Sequence, residues 1–191
     1  MDRGRMAVAV VLTVVGTAGP AAQTGSETFR ATATIETAGG AAASAPVTIV
    51  IARTTPQDEG QALVRAFADG GEAGLRRALT GLRPTGSVQI GNATPTTARI
   101  ALDRPTDKGR LLTIVTDRPI LFLGAGLPDA KAKEGYGFAV LDIEVDAEGN
   151  GSGTLSPAAK VKVAQGAFVV DEYASQPLRL TGVKREQQVP K

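Results

Sequence analysis

Apolar and polar residues alternate along much of the chain. In residues 28–36, Phe29, Ala31, Ala33 and Ile35 fall on one face, and Thr28, Arg30, Thr32, Thr34 and Glu36 on the other. A period of two is the mark of a half-buried strand. Residues 96–103 repeat the pattern with Ala98, Ile100 and Leu102 inward. Residues 137–146 repeat it with Ala139, Leu141, Ile143 and Val145 inward and Asp142, Glu144 and Asp146 outward. Residues 47–53, 110–116 and 120–123 are almost wholly apolar and predict strands with little exposure. Shorter stretches at 86–91, 154–163, 167–171 and 178–183 complete a set of about ten strands. Residues 37–46 and 124–135 read as loops, and 117–119 and 147–151 as turns.

One region has a helical period instead. Thr55 is placed to cap it, Pro56 to occupy its first position, and Asp58 to sit in its first turn. Leu63, Ala66 and Phe67 recur at helical spacing, as do Leu75, Ala78, Leu79 and Leu82. Gly70 and Gly71 separate the two groups, and Gly81 and Pro84 close the second. The pattern predicts a kinked helix or two short helices over about residues 56–82, packing an apolar stripe against a sheet.

A mainly β fold follows: an antiparallel barrel or sandwich with one helical segment. The alternative is an α+β arrangement with the helix packed on an antiparallel sheet. A parallel α/β sheet would need a helix at each crossover. Residues 109–124 and 166–182 share an apolar strand, an acidic turn, a Pro and a second apolar strand. Hairpins of any origin have that outline.

The N-terminus has a different character. Residues 1–5 include Arg3 and Arg5, residues 6–15 are apolar except for Thr13, and residues 16–22 are small with a Pro at 20. A charged start, a short apolar run and a small-residue exit are the pattern of an export leader. The run is shorter than the roughly 20 residues of a membrane span. Residues 1–22 are therefore expected to be a signal peptide cut after Ala21 or Ala22. Residues 23–191 would form a single β-rich domain, with 184–191 as a disordered tail. The competing reading is a buried N-terminal strand. With no Cys after the run, a lipid anchor is not expected.

Composition then removes chemistries. The 191 residues include no Cys and no His. There is thus no disulfide frame, thiolate metal site, cysteine nucleophile or Ser-His-Asp triad. The net charge is +2. Residues 1–22 contribute two Arg and one Asp, so the remainder carries +1. That balance gives no electrostatic footprint for nucleic acid. Lys184, Arg185 and Lys191 read as a solvated basic tail.

Few candidate sites remain. Asp142, Glu144 and Asp146 share a strand face, where carboxylates could hold a hard cation or divide acid and base roles. The run from Asp146 to Gly151 touches a calcium-loop pattern, but Glu148 and Pro157 stand where that loop needs other residues. Lys160 and Lys162 are the expected cross-strand partners of these acids. Gly124 to Gly126 lacks the rest of a phosphate-loop motif, and Ser87, Ser152 and Ser156 lack a nucleophile context. The sequence points to a secreted or periplasmic module that binds without catalysis, in one form holding a small hydrophobic ligand inside a barrel. The alternatives are a cell-envelope structural or interaction protein, and a carboxylate-based calcium-binding protein or enzyme using Asp142, Glu144 and Asp146. No cofactor and no transmembrane anchor are expected.

Overall fold

The computed structural model describes residues 11–12, 25–36, 42–120, 137–164, 167–173 and 177–186. Its strands are β1 (Val11–Leu12), β2 (Glu27–Glu36), β3 (Ala42–Ile51), β4 (Gly86–Ile90), β5 (Thr96–Thr106) and β6 (Gly109–Thr116). They continue with β7 (Phe138–Val145), β8 (Asn150–Ala164), β9 (Ala167–Tyr173) and β10 (Leu178–Arg185). A single helix, α1 (Gln57–Gly81), joins β3 to β4.

Eight strands close on themselves in the order β8, β10, β2, β3, β4, β5, β6, β7 and back to β8, all antiparallel. The mainly β expectation holds, and closure makes the fold a barrel. β9 and β1 lie outside the ring: β9 pairs with the far end of β8, and β1 with β9. The sequence echo between 109–124 and 166–182 is therefore no structural repeat. β6 is a barrel stave, whereas β9 is not.

Alternation explains the wall. Phe29, Ala31 and Ala33 of β2, Val47, Ile49 and Ile51 of β3, and Ala139, Leu141, Ile143 and Val145 of β7 all enter one buried cluster. Leu155 of β8 and Leu178, Leu180 and Val183 of β10 join it, as do Val88 and Ile90 of β4, Ala98 and Ala101 of β5, and Leu112 and Ile114 of β6. Each large aliphatic chain removed from water in this way contributes about 1.5–3 kcal/mol. The opposite positions, Arg30, Thr32, Arg179, Thr181 and Lys184, are exposed. Apolar inside and polar outside is the reverse of a membrane-spanning barrel.

The helix packs outside this wall. Leu63, Leu75 and Leu79 are buried against Ile100, Val115, Phe138, Val140 and Ala159, with Phe67, Ala78 and Leu82 partly buried beside them. The expected kink falls at Gly71, whose φ of 57° and ψ of −149° suit only glycine. The bend brings Gly74 so close to the Ala66 carbonyl oxygen that a Cβ there would collide with it.

Several expectations need correction. Thr55 does not cap the helix: Pro56 holds that position without a side-chain cap. Thr55 instead accepts a hydrogen bond from the Ala101 N–H at 2.9 Å, and its own N–H donates to the Ala101 carbonyl at 2.7 Å, stitching the start of the helix to β5. In β5, Ile100 and Leu102 do not point inward. The register slips by one residue between Ala98 and Ile100, so Ala98 and Ala101 face the barrel interior while Ile100 and Leu102 meet the helix. The extra residue, Arg99, sends Nη1 to the Leu82 carbonyl at 2.7 Å, just past the helix end, and Nε to Asp117 at 3.3 Å. The bulge thus fits β5 to the barrel and the helix at once.

β3 begins at Ala42, inside the expected 37–46 loop. Pro46 is tolerated because β4 pairs with β3 only from Val47 onward. Ile120 is buried in the barrel cluster but not as strand. Its N–H donates to the Pro157 carbonyl at 2.9 Å, and residues 121–123 lie outside the described set. The expected tail at 184–191 starts too early, since Lys184 and Arg185 end β10 and the Glu186 N–H donates to the Thr28 carbonyl at 2.7 Å. Of residues 1–22, expected from the sequence to be a leader, only Val11–Leu12 are described, and they form β1.

Candidate functional site

Four charged residues occupy inward positions at one end of the barrel. Glu27 lies two residues before Phe29, Arg110 two before Leu112, Arg185 two after Val183, and Asp103 two after Ala101. Cross-strand register confirms the phase: Glu27 is opposite Ile51, Arg110 opposite Val145, Asp103 opposite Leu112 and Arg185 opposite Phe29. Arg110 Nη2 donates to both Glu27 oxygens, at 2.6 and 2.7 Å, and its Nη1 to Asp103 at 2.8 Å. Arg185 Nη1 adds a bond to Glu27 at 3.3 Å, and its Nη2 reaches the Ala147 carbonyl at 3.2 Å. Burial opposes the charge on Arg110. The hydrogen bonds and charges of Glu27 and Asp103 outweigh it and hold the guanidinium above its usual pKa. Sequence reading missed this cluster, although a charged residue in the inward phase at a strand end was its visible signal.

Most of the described inward-facing side chains are fully buried. Phe29, Ala33, Val47, Ile49, Val88, Ala139, Leu141, Ile143, Leu155 and Leu180 are each 0% exposed.

The three acidic candidates are on one strand but do not act together. Asp142 is on the outer wall, half-buried, and accepts a hydrogen bond from the Thr113 hydroxyl at 2.5 Å. Burial pushes its carboxyl pKa up, more than the Thr113 bond and the nearby Arg104 charge pull it down. Glu144 lies 4.0 Å from Lys108, whose side chain is 81% exposed. Asp146 belongs to the hairpin turn. Its carboxylate accepts the Asn150 N–H at 2.8 Å and its carbonyl the Gly149 N–H at 3.1 Å, which commits it to the chain reversal. Among the described residues no three acidic side chains are gathered as a metal site would need. Lys160 is not opposite these acids. Thr154 and Ser152 face Asp142 and Glu144, while Lys160 pairs with Glu172 of β9.

Ser156 is buried, and Ser152 is exposed opposite Glu144 of β7. Lys131, Lys133 and the segment from Gly124 to Gly126 lie outside the described residues. No described helix is long and apolar enough to cross a membrane. Comparison with protein-family models, curated proteins and solved structures finds no match to the chain.

Proposed function

We propose that the chain is an exported, non-catalytic binding module, secreted or periplasmic, that uses its barrel as a scaffold and recognises its partner on the outer surface. The burial of the inward side chains carries this reading. Side chains that expose no surface inside the barrel are committed to stability, and the Glu27–Arg110 pair occupies one end. A small hydrophobic ligand therefore draws no support from the described interior. The lack of His and Cys, and the separate partners of Asp142, Glu144 and Asp146, support binding over catalysis. The leader-like pattern of residues 1–22 supports export.

Native mass spectrometry of the protein released from its own host tests the proposal. The expected mass begins after Ala21 or Ala22, with a polypeptide bound and no small molecule retained. A stoichiometric small ligand would overturn surface recognition, and a chain still carrying residues 1–22 would overturn export.

A further inference from the structure

The β9 edge is the one place where the described fold departs from closure. β8 has fifteen residues. Residues 150–155 pair with β10 and residues 151–159 with β7, whereas from Ala159 onward its partner is β9. Past Ala159 the β8–β9 hairpin thus continues as a two-stranded ribbon beyond the barrel ladders. A two-stranded ribbon is marginal in water, and adding a strand is what stabilises it. A strand is in fact added: Val11 pairs with Val169 and Leu12 with Phe168, antiparallel. These two residues come from the apolar run 6–15.

We propose that β9 is a strand-acceptor edge: residues 11–12 cover it in the precursor, and removal of the leader frees it for an extended apolar segment of a partner polypeptide. This rests on the export reading above and names the docking surface that reading requires. The chemistry of the partner follows from what is seated there. Backbone pairing to an edge tolerates many sequences, while β-branched and apolar residues suit it best. Charge adds a preference. β9 reads Ala-Phe-Val-Val-Asp-Glu-Tyr, apolar first and acidic at Asp171 and Glu172. An antiparallel partner brings the residues before its apolar stretch past that acidic half, so basic residues there are favoured.

The test uses residues 23–191, which retain the whole barrel and α1. The probe is a fluorescent peptide with the sequence of residues 3–15, RGRMAVAVVLTVV. It should bind residues 23–191, and bind the full chain about tenfold more weakly or worse, because there the seat is held intramolecularly. Two further peptides, N-methylated at alternate residues in opposite phases, separate backbone pairing from apolar adhesion. One phase should lose binding about tenfold or more, and the other should keep it. Absence of binding to residues 23–191, or equal binding of both methylated peptides, would overturn the proposal. So would a dimer of residues 23–191 in sedimentation that blocks the probe, since the occupant would then be a second copy. Retention of residues 1–22 in the natural protein would overturn the export reading alone, since the peptide titration reads the edge independently.

Discussion

Glu27 and Arg110 meet across the whole width of the barrel. They sit on β2 and β6, four staves apart in either direction, and are joined at 2.6 Å. Their side chains are only 14% and 17% exposed. Removing Glu27 takes away the carboxylate that Arg110 and Arg185 share in a poorly hydrated site, and leaves Arg110 its bond to Asp103. Glu27→Ala should therefore cost about 2–4 kcal/mol. The exposed pair Arg30–Glu186, of similar length at 2.7 Å, should contribute under about 1 kcal/mol. Urea denaturation of Glu27→Ala and Glu186→Ala, at low and high salt, checks this. Equal losses, or a Glu27 effect abolished by salt, would contradict the cluster's role.

Asp142 gives a pH signature. Its native carboxyl keeps its proton to a higher pH than in the unfolded chain, so the native state binds more protons over that window. Stability then falls as pH rises from the ordinary value of 3.8 through the raised native one. Asp142→Asn keeps an acceptor for the Thr113 hydroxyl and removes this loss. The variant should match the parent in acid well below the ordinary value and melt higher near neutrality. A variant that melts lower at neutral pH would show that the ionised carboxylate stabilises.

The kink in α1 should resist change at Gly74. An added methyl meets the backbone oxygen of Ala66, which has no flexible end to yield. Gly74→Ala is expected to destabilise by about 1–3 kcal/mol, against the usual helical preference for Ala over Gly. Thermal melting settles the sign.

Ile100→Ala should separate the helix from the barrel. Ile100 belongs to the helix-facing cluster rather than the barrel cluster. The expected cost is about 2–4 kcal/mol. Amide exchange should rise in residues 57–81 more than in β2 or β3. Uniform loss of protection would place Ile100 in a single shared core.

Much of this fold was legible because period-two alternation is a local signal. β2 and β7 follow it: Phe29, Ala31 and Ala33, and Ala139, Leu141, Ile143 and Val145, are inward as the pattern names them. β5 defeats it, because the bulge at Arg99 is dictated by two surfaces at once, the barrel inside and the helix outside, and neither is visible in eight residues. Barrel closure is likewise a long-range property: the β7–β8 ladder decides it. Glu27, Asp103, Arg110 and Arg185 escaped notice because their significance lies in pairing between strands remote in sequence. Asp142, Glu144 and Asp146 looked like a set because they share a face, yet each has a different neighbour across the sheet.

On the proposed reading the barrel is a scaffold and recognition occurs at β9. Hydrogen exchange of residues 23–191, with and without the RGRMAVAVVLTVV peptide, tests it most directly. The account predicts new protection in residues 167–173, with β2 to β6 already protected and unchanged. Protection that arises instead in the inward-facing barrel strands, with β9 unaffected, would contradict it.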